Sequence, residues 1–341
     1  MIGNFGVLGD SSREIKSFFG LCNLRGSSVN WGILLNTEPI PAQWYFEGEF
    51  FQHEKRTVFA TEWQMLARTG TFAQPGDFVV ESIGGWPVFA IAGEDGCIRA
   101  FRNVCRHRGM QVLEKPRGRC DTLRCRYHGW TYDFSGRMIS TPPIVAPADP
   151  RSPDNHLFQI ASADWRGLLF INIDREAPPL QPIANLPDDF PLDGERFHSE
   201  FTTEINCNWK TYIEHCLASR QFMGAGGGEW VWQPPTLMLR LGPSMVNVQQ
   251  IVPRTFVRTR VAEHLFFSAL LDPAQTAAAV EQVKQRSAAD KPAVELIQTQ
   301  RDSGDLALID ESRLAAFHEF VRKAHTRSPV TDLLALEKAT E

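Results

Sequence analysis

Two blocks of period-two alternation run along this chain, separated and closed by stretches of helical spacing. Residues 48–67 carry Phe51, Val58, Phe59, Trp63 and Leu66 as one apolar stripe, which predicts a core-packing helix. Alternation then predicts strands at 77–82, 87–91 and 97–101, the last two joined by Glu94-Asp95-Gly96 as a hairpin turn. Further strands fit 129–134, 137–140, 157–162 and 167–173. Five prolines between 178 and 191 break the pattern and mark a connector. Beyond it, a strand at 201–206 leads into a helix at 209–217, followed by strands at 235–241, 245–251, 255–261 and 264–271. Two helices, 273–302 and 310–326, close the chain, the second with Leu314, Phe317, Phe320 and Val321 on one face. Residues 1–38 are Gly- and Ser-rich with weak periodicity and read as a loose extension.

Composition narrows the class without changing this picture. At 341 residues, 43% apolar and 22% charged, the chain fits a two-domain globular enzyme. A net charge of −5 argues against nucleic acid or an anionic membrane as partner. No apolar run reaches the ~18 residues a membrane-spanning helix needs. Asp10, Arg13, Glu14 and Lys16 interrupt the start where a secretory signal would be apolar. Cysteine spacing shows no disulfide framework. Cys22, Cys97, Cys120, Cys207 and Cys216 therefore read as reduced thiols of a cytoplasmic protein.

The chemistry lies in two short loops. Cys105-Arg106-His107 is followed, after seventeen residues, by Cys125-Arg126-Tyr127-His128. Each loop offers one thiolate and one imidazole, the set that places two Cys on one iron and two His on the other of a [2Fe–2S] cluster. Zinc also takes two Cys and two His, but finger spacing keeps each pair together. Here every loop carries one of each, which favours the cluster. Arg102, Arg106, Arg108, Arg124 and Arg126 crowd the loops, either as counter-charge or as a docking face for an acidic electron donor.

The second loop continues Gly129-Trp130-Thr131-Tyr132-Asp133-Phe134-Ser135-Gly136-Arg137. The whole stretch resembles the Rieske domain of Rieske-type non-haem iron oxygenases, the alpha subunits of ring-hydroxylating and N-demethylating systems. It resembles the respiratory Rieske proteins less. Those carry an extra, disulfide-bonded Cys in each loop, where Met110 and Tyr127 stand here, and tend to have Ser where Trp130 stands. Fewer hydrogen bonds to the cluster would place its potential in the lower part of the Rieske range, roughly −150 to +300 mV.

The resemblance implies an α+β fold, a small antiparallel Rieske domain followed by an antiparallel sheet gripping a long helix. On it we divide the chain into an extension (1–38), a Rieske domain with an N-terminal helix (39–177), a connector (178–200) and a shortened helix-grip domain (201–341). It also implies a trimer or hexamer, homo- or hetero-oligomeric, and a ferredoxin or a flavin/iron–sulfur reductase as donor.

Family members carry a mononuclear iron in a two-His, one-carboxylate triad with open positions for oxygen. Its signature follows an Asn-Trp-Lys, here Asn208-Trp209-Lys210, with Glu214 at the expected spacing. Beyond Glu214 the match fails. His215 stands for Asn, Ala218 for the bridging carboxylate, and Gln221 and Gly226 for the two His; a one-residue shift gives Ser219, Phe222 and Gly227. Glu214 and His215 diverge by about 100° on a helix, which does not easily let them chelate together. Asp290, with Glu295 and Gln298 after it, matches the late carboxylate ligand; it reads either as that remnant or as a solvated helix-start Asp. Glu229, His264 and His318 are the other candidates for a rewired site.

Three functions follow. The leading one is an alpha-like subunit with an intact Rieske centre and a lost mononuclear iron, passing electrons or giving structure beside a catalytic alpha-type partner. The second is an active oxygenase with a non-standard iron site, hydroxylating or N-demethylating a small organic substrate. The third is a non-enzymatic Rieske sensor or binding module.

Overall fold

The computed structural model describes residues 40–143, 148–183, 196–219, 229–242, 244–267, 271–303 and 311–328. The expected extension (1–38), part of the connector (184–195) and positions 220–228, with Gln221, Phe222, Gly226 and Gly227, lie outside the described residues.

Helices α1 (Gln43–Phe46) and α2 (Gly48–Thr57) open the described chain. The expected helix over 48–67 thus ends at Thr57, and Gln64–Arg68 forms strand β1 instead. Pairing with a late strand overrides the helical spacing there: Gln64 lies opposite Ile171 and Arg68 opposite Leu168. Strands β2 (Asp77–Ile83), β3 (Trp86–Ala92) and β4 (Ile98–Arg102) form the predicted meander. Gly84 and Gly85, both at positive φ, close the β2–β3 hairpin, and a Cβ on Gly84 would lie 2.1 Å from the Phe59 ring. Short strands β5 (Arg117–Arg119), β6 (Leu123–Arg124), β7 (Thr131–Tyr132) and β8 (Met138–Ser140) follow, then β9 (Gln159–Trp165) and β10 (Leu168–Asn172). The order β1-β10-β9-β4-β3-β2-β5 makes an antiparallel seven-stranded sheet, and β6-β7-β8 a three-stranded one.

The second half starts at β11 (Arg196–Ile205), which begins inside the expected connector, and passes into α3 (Trp209–Ala218). Then come β12 (Glu229–Gln233), absent from the sequence reading, β13 (Leu237–Leu241), β14 (Met245–Thr255) and β15 (Arg258–Phe267). The two strands expected across 255–271 are thus one, because the turn falls at Thr255–Arg258. This five-stranded antiparallel sheet, ordered β11-β15-β14-β13-β12, grips α4 (Pro273–Asp302). Asp272 and Gln275 cap α4 reciprocally, with Pro273 in its first turn. The last helix, α5 (Glu311–Thr326), packs on α2 and α3. One face of the sheet buries Leu237, Leu239, Val246, Val248 and Phe266 against Met65, Leu168 and Phe170 of the first half. The other packs Leu265 and Phe267 against Val280 and Val283 of α4. Among the described residues no helix is long and apolar enough to cross a membrane.

Candidate metal centre

The two Cys/His loops adopt one backbone design. In the first, Cys105 N–H donates to Met110 O at 2.7 Å and Gly109 N–H to Cys105 O at 2.9 Å. In the second, Cys125 N–H donates to Trp130 O and Gly129 N–H to Cys125 O, both at 2.9 Å. Gly109 and Gly129 sit at φ 70° and 71°, a left-handed turn that favours glycine, so each loop folds back after its imidazole. Asn103, fully buried, pins the first loop: its Oδ1 accepts from Val112 and Leu113 N–H, and its Nδ2 donates to Leu113 O. Its role is illegible in the sequence, because a lone Asn carries no spacing signal.

The design brings the two predicted imidazoles beside each other and the two predicted thiols beside each other. The His107 and His128 rings lie 4.5 Å apart, centre to centre. Cys105 and Cys125 are buried thiols. Burial, with Cys125 close by, raises the Cys105 thiol above its ordinary value, and burial lowers His107, leaving a neutral imidazole. His107 Nδ1 is buried and has no hydrogen-bond partner, as suits a nitrogen reserved for a metal. Among the described residues no three His, Cys, Asp or Glu side chains converge tightly enough to hold a single ion.

Two side chains outside the motif complete this cradle. Tyr132, fully buried, has its hydroxyl 3.2 Å from Cys105 Sγ and 3.2 Å from Arg106 N. Trp130 stacks on His107, 5.0 Å between centres and 7° between planes. Over the second loop lies a hollow of about 600 Å³ lined by Arg124, Arg126, Tyr127, His128 and Pro142. The arginine face is smaller than the sequence suggests. Arg102 is 3% exposed beneath the surface, its guanidinium 4.3 Å from the Trp86 ring centre. Arg106 stacks on Phe158 and donates to Asp154 O. Arg108, Arg124 and Arg126 are the exposed ones, beside Met110 and Tyr127.

The Asn-Trp-Lys motif has a structural explanation. Asn208 caps α3 by accepting from Lys210 N–H. Trp209 Nε1 and Lys210 Nζ both donate to the buried carboxylate of Glu54 on α2, at 2.8 and 2.5 Å. His325 joins them at 3.2 Å, its ring stacked on Trp44. Burial would raise the Glu54 carboxyl; the Lys210 ammonium and the hydrogen bonds from His325, Lys210 and Trp209 outweigh it and hold the group below its ordinary value. Glu214 belongs to a second buried network, bonded to Tyr45 Oη (2.5 Å), His318 Nε2 (2.7 Å) and the Arg301 guanidinium. Glu214 and His318 are thus committed to each other.

Glu214 and His215 diverge as expected, and His215 Nε2 lies 3.1 Å from Asp290 Oδ1. Arg286 approaches the other carboxylate oxygen at 3.9 Å. Asp290 is therefore no helix-start residue: it sits mid-way along α4, about four-fifths buried and ion-paired. Glu263, on the same side of the sheet, bonds Asn247, Gln249 and Ser287. His264 faces Glu200 at 3.5 Å. All nine histidines of the chain lie among the described residues, and His215 alone stands beside Asp290. A two-His, one-carboxylate iron site does not fit the residues described.

A family model for the Rieske [2Fe-2S] domain matches residues 62–153. The carnitine monooxygenase oxygenase subunit of Escherichia coli (strain K12) is 29% identical over 187 residues, 52% of this chain and 49% of that protein. The chlorobenzene dioxygenase alpha subunit of Cupriavidus sp. (strain PS12) is 31% identical over 189 residues, 52% of this chain and 40% of that protein. The chain thus spans about half, or less, of these relatives' length. The quaternary ammonium Rieske monooxygenase CntA, in its apo form, superposes with a TM-score of 0.72 at 22% identity, covering 84% of this chain and 95% of that one. The structural likeness bears out the α+β fold, the sequence relatives bear out the resemblance to oxygenase alpha subunits, and the Rieske domain supports a [2Fe–2S] cluster. These relatives support an active oxygenase better than the leading sequence reading, a subunit that has lost its iron.

Proposed function

Starting from a chain that carries a Rieske [2Fe–2S] domain and is homologous to Rieske oxygenase alpha subunits, we propose that it works as the alpha-type subunit of a Rieske oxygenase. It takes electrons from a ferredoxin or a flavin/iron–sulfur reductase for the O2-dependent oxidation of a small organic substrate. In a monooxygenation of this class one oxygen atom enters a C–H bond, and two electrons and two protons carry the other to water. A carnitine monooxygenase subunit and a chlorobenzene dioxygenase subunit match at similar identity, so they support oxygenation as the reaction class and no one substrate.

The observation that carries the proposal is the paired loop design. Cys105 and Cys125 would hold one iron and His107 and His128 the other; when bound, the cluster stores one electron at a time. Asn103 and the two loop glycines fix the donors in place, while burial keeps water from the thiolates. Exposed Arg108, Arg124 and Arg126 would steer an acidic donor toward His128.

A second reading is favoured by the His215–Asp290 pair. In it the chain passes electrons, or gives structure, beside an alpha-type partner that holds the oxygen-activating iron. The relatives support in-chain catalysis better; the helix-grip interior supports this one. Iron analysis with EPR of the reduced protein under nitric oxide separates them. About three irons per protomer and a nitrosyl-iron signal support in-chain catalysis. About two irons and a Rieske signal alone support the second reading. A protein with no Rieske signal overturns both.

A further inference from the structure

The register of the five-stranded sheet lines up one row of side chains beneath α4. Trp230 of β12 stands opposite Arg240 of β13, Arg240 opposite Asn247 of β14, and Asn247 opposite Leu265 of β15. Residues directly opposite in an antiparallel sheet share a face, and Leu265 packs on Val280 and Val283, so the row faces α4. Arg286 of α4 joins it, with its guanidinium 5.6 Å from the Trp230 ring centre. Trp230, Arg240 and Arg286 are half-buried, and Asn247 is fully buried.

The direction of the Asn247 amide follows from its neighbour. Its Nδ2 donates to the Glu263 carboxylate at 2.5 Å; a carboxylate only accepts, so the nitrogen must face Glu263 and Oδ1 must face away. Oδ1 is buried, and no described group donates to it, whereas most buried acceptors have a donor. The acids nearby are already engaged. Glu263 accepts from Asn247, Gln249 and Ser287. Asp290 lies 3.1 Å from His215 and 3.9 Å from Arg286, the latter beyond hydrogen-bond reach. Burial first, and then the like charge of Arg286, lower Arg240 below its ordinary value against the pull of Glu263. Two guanidiniums bordering one indole make a site for a carboxylate, which the planar fork of an arginine binds through two parallel N–H···O bonds.

Resting on the proposed oxidation of a small organic substrate, we propose that Arg240, Arg286, Trp230 and Asn247 form its recognition site, and that it is a carboxylate that also carries an O–H or N–H donor. The guanidiniums take the carboxylate, the donor goes to Asn247 Oδ1, and the carbon body lies against the indole. A neutral hydrocarbon leaves the amide oxygen unpaired, and a cation meets two like charges. A site built to hydrogen-bond a substrate O–H selects against the analogue without it, because the buried partner is then stranded.

The test is isothermal titration calorimetry of the cluster-loaded protein with benzoate and butyrate, each with and without a 3-hydroxyl, and with the matching amides. The acids should bind and the amides should not, and the hydroxyl should tighten binding about tenfold. Arg240→Gln and Arg286→Gln should each weaken the acids by at least about tenfold. Asn247→Leu should remove the gain from the hydroxyl and spare the parent acid. Where that variant fails to fold, the 3-methoxy acids, which keep the oxygen and lose the donor, should bind wild type no better than the parents. Amides that bind as well as the acids, acids unaffected by both arginine variants, or no binding of any acid at millimolar concentration overturn the inference. Such results leave the proposed function standing, because the Rieske EPR signal and donor-dependent oxygen uptake read it separately. Binding of the acids by a protein with no Rieske signal instead removes the function and leaves the four residues as a ligand site.

Discussion

Lys210 is fully buried, and its ammonium meets the equally buried carboxylate of Glu54 at 2.5 Å. Lys210→Met keeps most of the apolar volume and removes the charge. Glu54 then retains only Trp209 Nε1 and His325, at 2.8 and 3.2 Å. Removing one partner from a buried pair costs about 3–5 kcal/mol, because the other charge stays desolvated. At about 2 °C per kcal/mol for a chain of this size, the melting temperature should fall by roughly 6–10 °C. Calorimetry of the cluster-loaded protein measures this. Lys210→Met with Glu54→Gln should recover a large part of the loss, since the carboxylate is gone. The pH dependence gives a second readout. The Glu54 carboxyl is held below its ordinary value in the folded protein, so its contribution is present above about pH 4.3 and fades as pH falls through the folded value. The single variant should lose part of that acid sensitivity. A melting temperature unchanged in Lys210→Met, or a double variant no better than the single, refutes the assignment of this pair as the tie between α2 and α3.

Three further outcomes follow. Gly129→Ala puts a Cβ 2.7 Å from Pro142 Cγ at a φ of 71°, so at about 1–2 kcal/mol for the left-handed backbone alone it should lower cluster occupancy, read from the iron-to-protein ratio. His264 and Arg117 hold the Glu200 carboxyl down at about 2, so its contribution is complete above about pH 4.3 and lost as pH falls toward 2. Glu200→Gln should flatten the fall in melting temperature across that window. Asp290→Asn should cost under about 1 kcal/mol, as for a partly solvated pair, and should leave iron content unchanged if the iron lies in a partner chain. Loss of one iron per protomer in that variant would assign the third iron to this chain.

The cluster loops were legible because ligand chemistry fixes residue type and spacing together. Cys105, His107, Cys125 and His128 stand out in any window, and the structure pairs the two imidazoles and the two thiols. The strands next to them were legible because Phe89, Ile91 and Phe101 alternate with residues facing the opposite side. Asn103 and Tyr132 act through hydrogen bonds to partners nine or more residues away, and no spacing rule announces such bonds. The helix expected over 48–67 failed for a related reason: Gln64–Arg68 is held by its antiparallel partner β10 about a hundred residues downstream. The helix-start alternative for Asp290 conflicted with the helix expected over 273–302, and the structure places Asp290 mid-way along that helix, α4. Glu54 carried no motif, yet it is the residue toward which Trp209 and Lys210 point.

The central claim is a [2Fe–2S] cluster held by two thiolates and two imidazoles. ENDOR of the reduced protein grown with nitrogen-15 histidine tests it directly. The account predicts a Rieske EPR signal coupled to two histidine nitrogens, with one coupling lost in His128→Cys. Zinc in place of iron, or an iron–sulfur signal with no histidine nitrogen coupled to it, would contradict it.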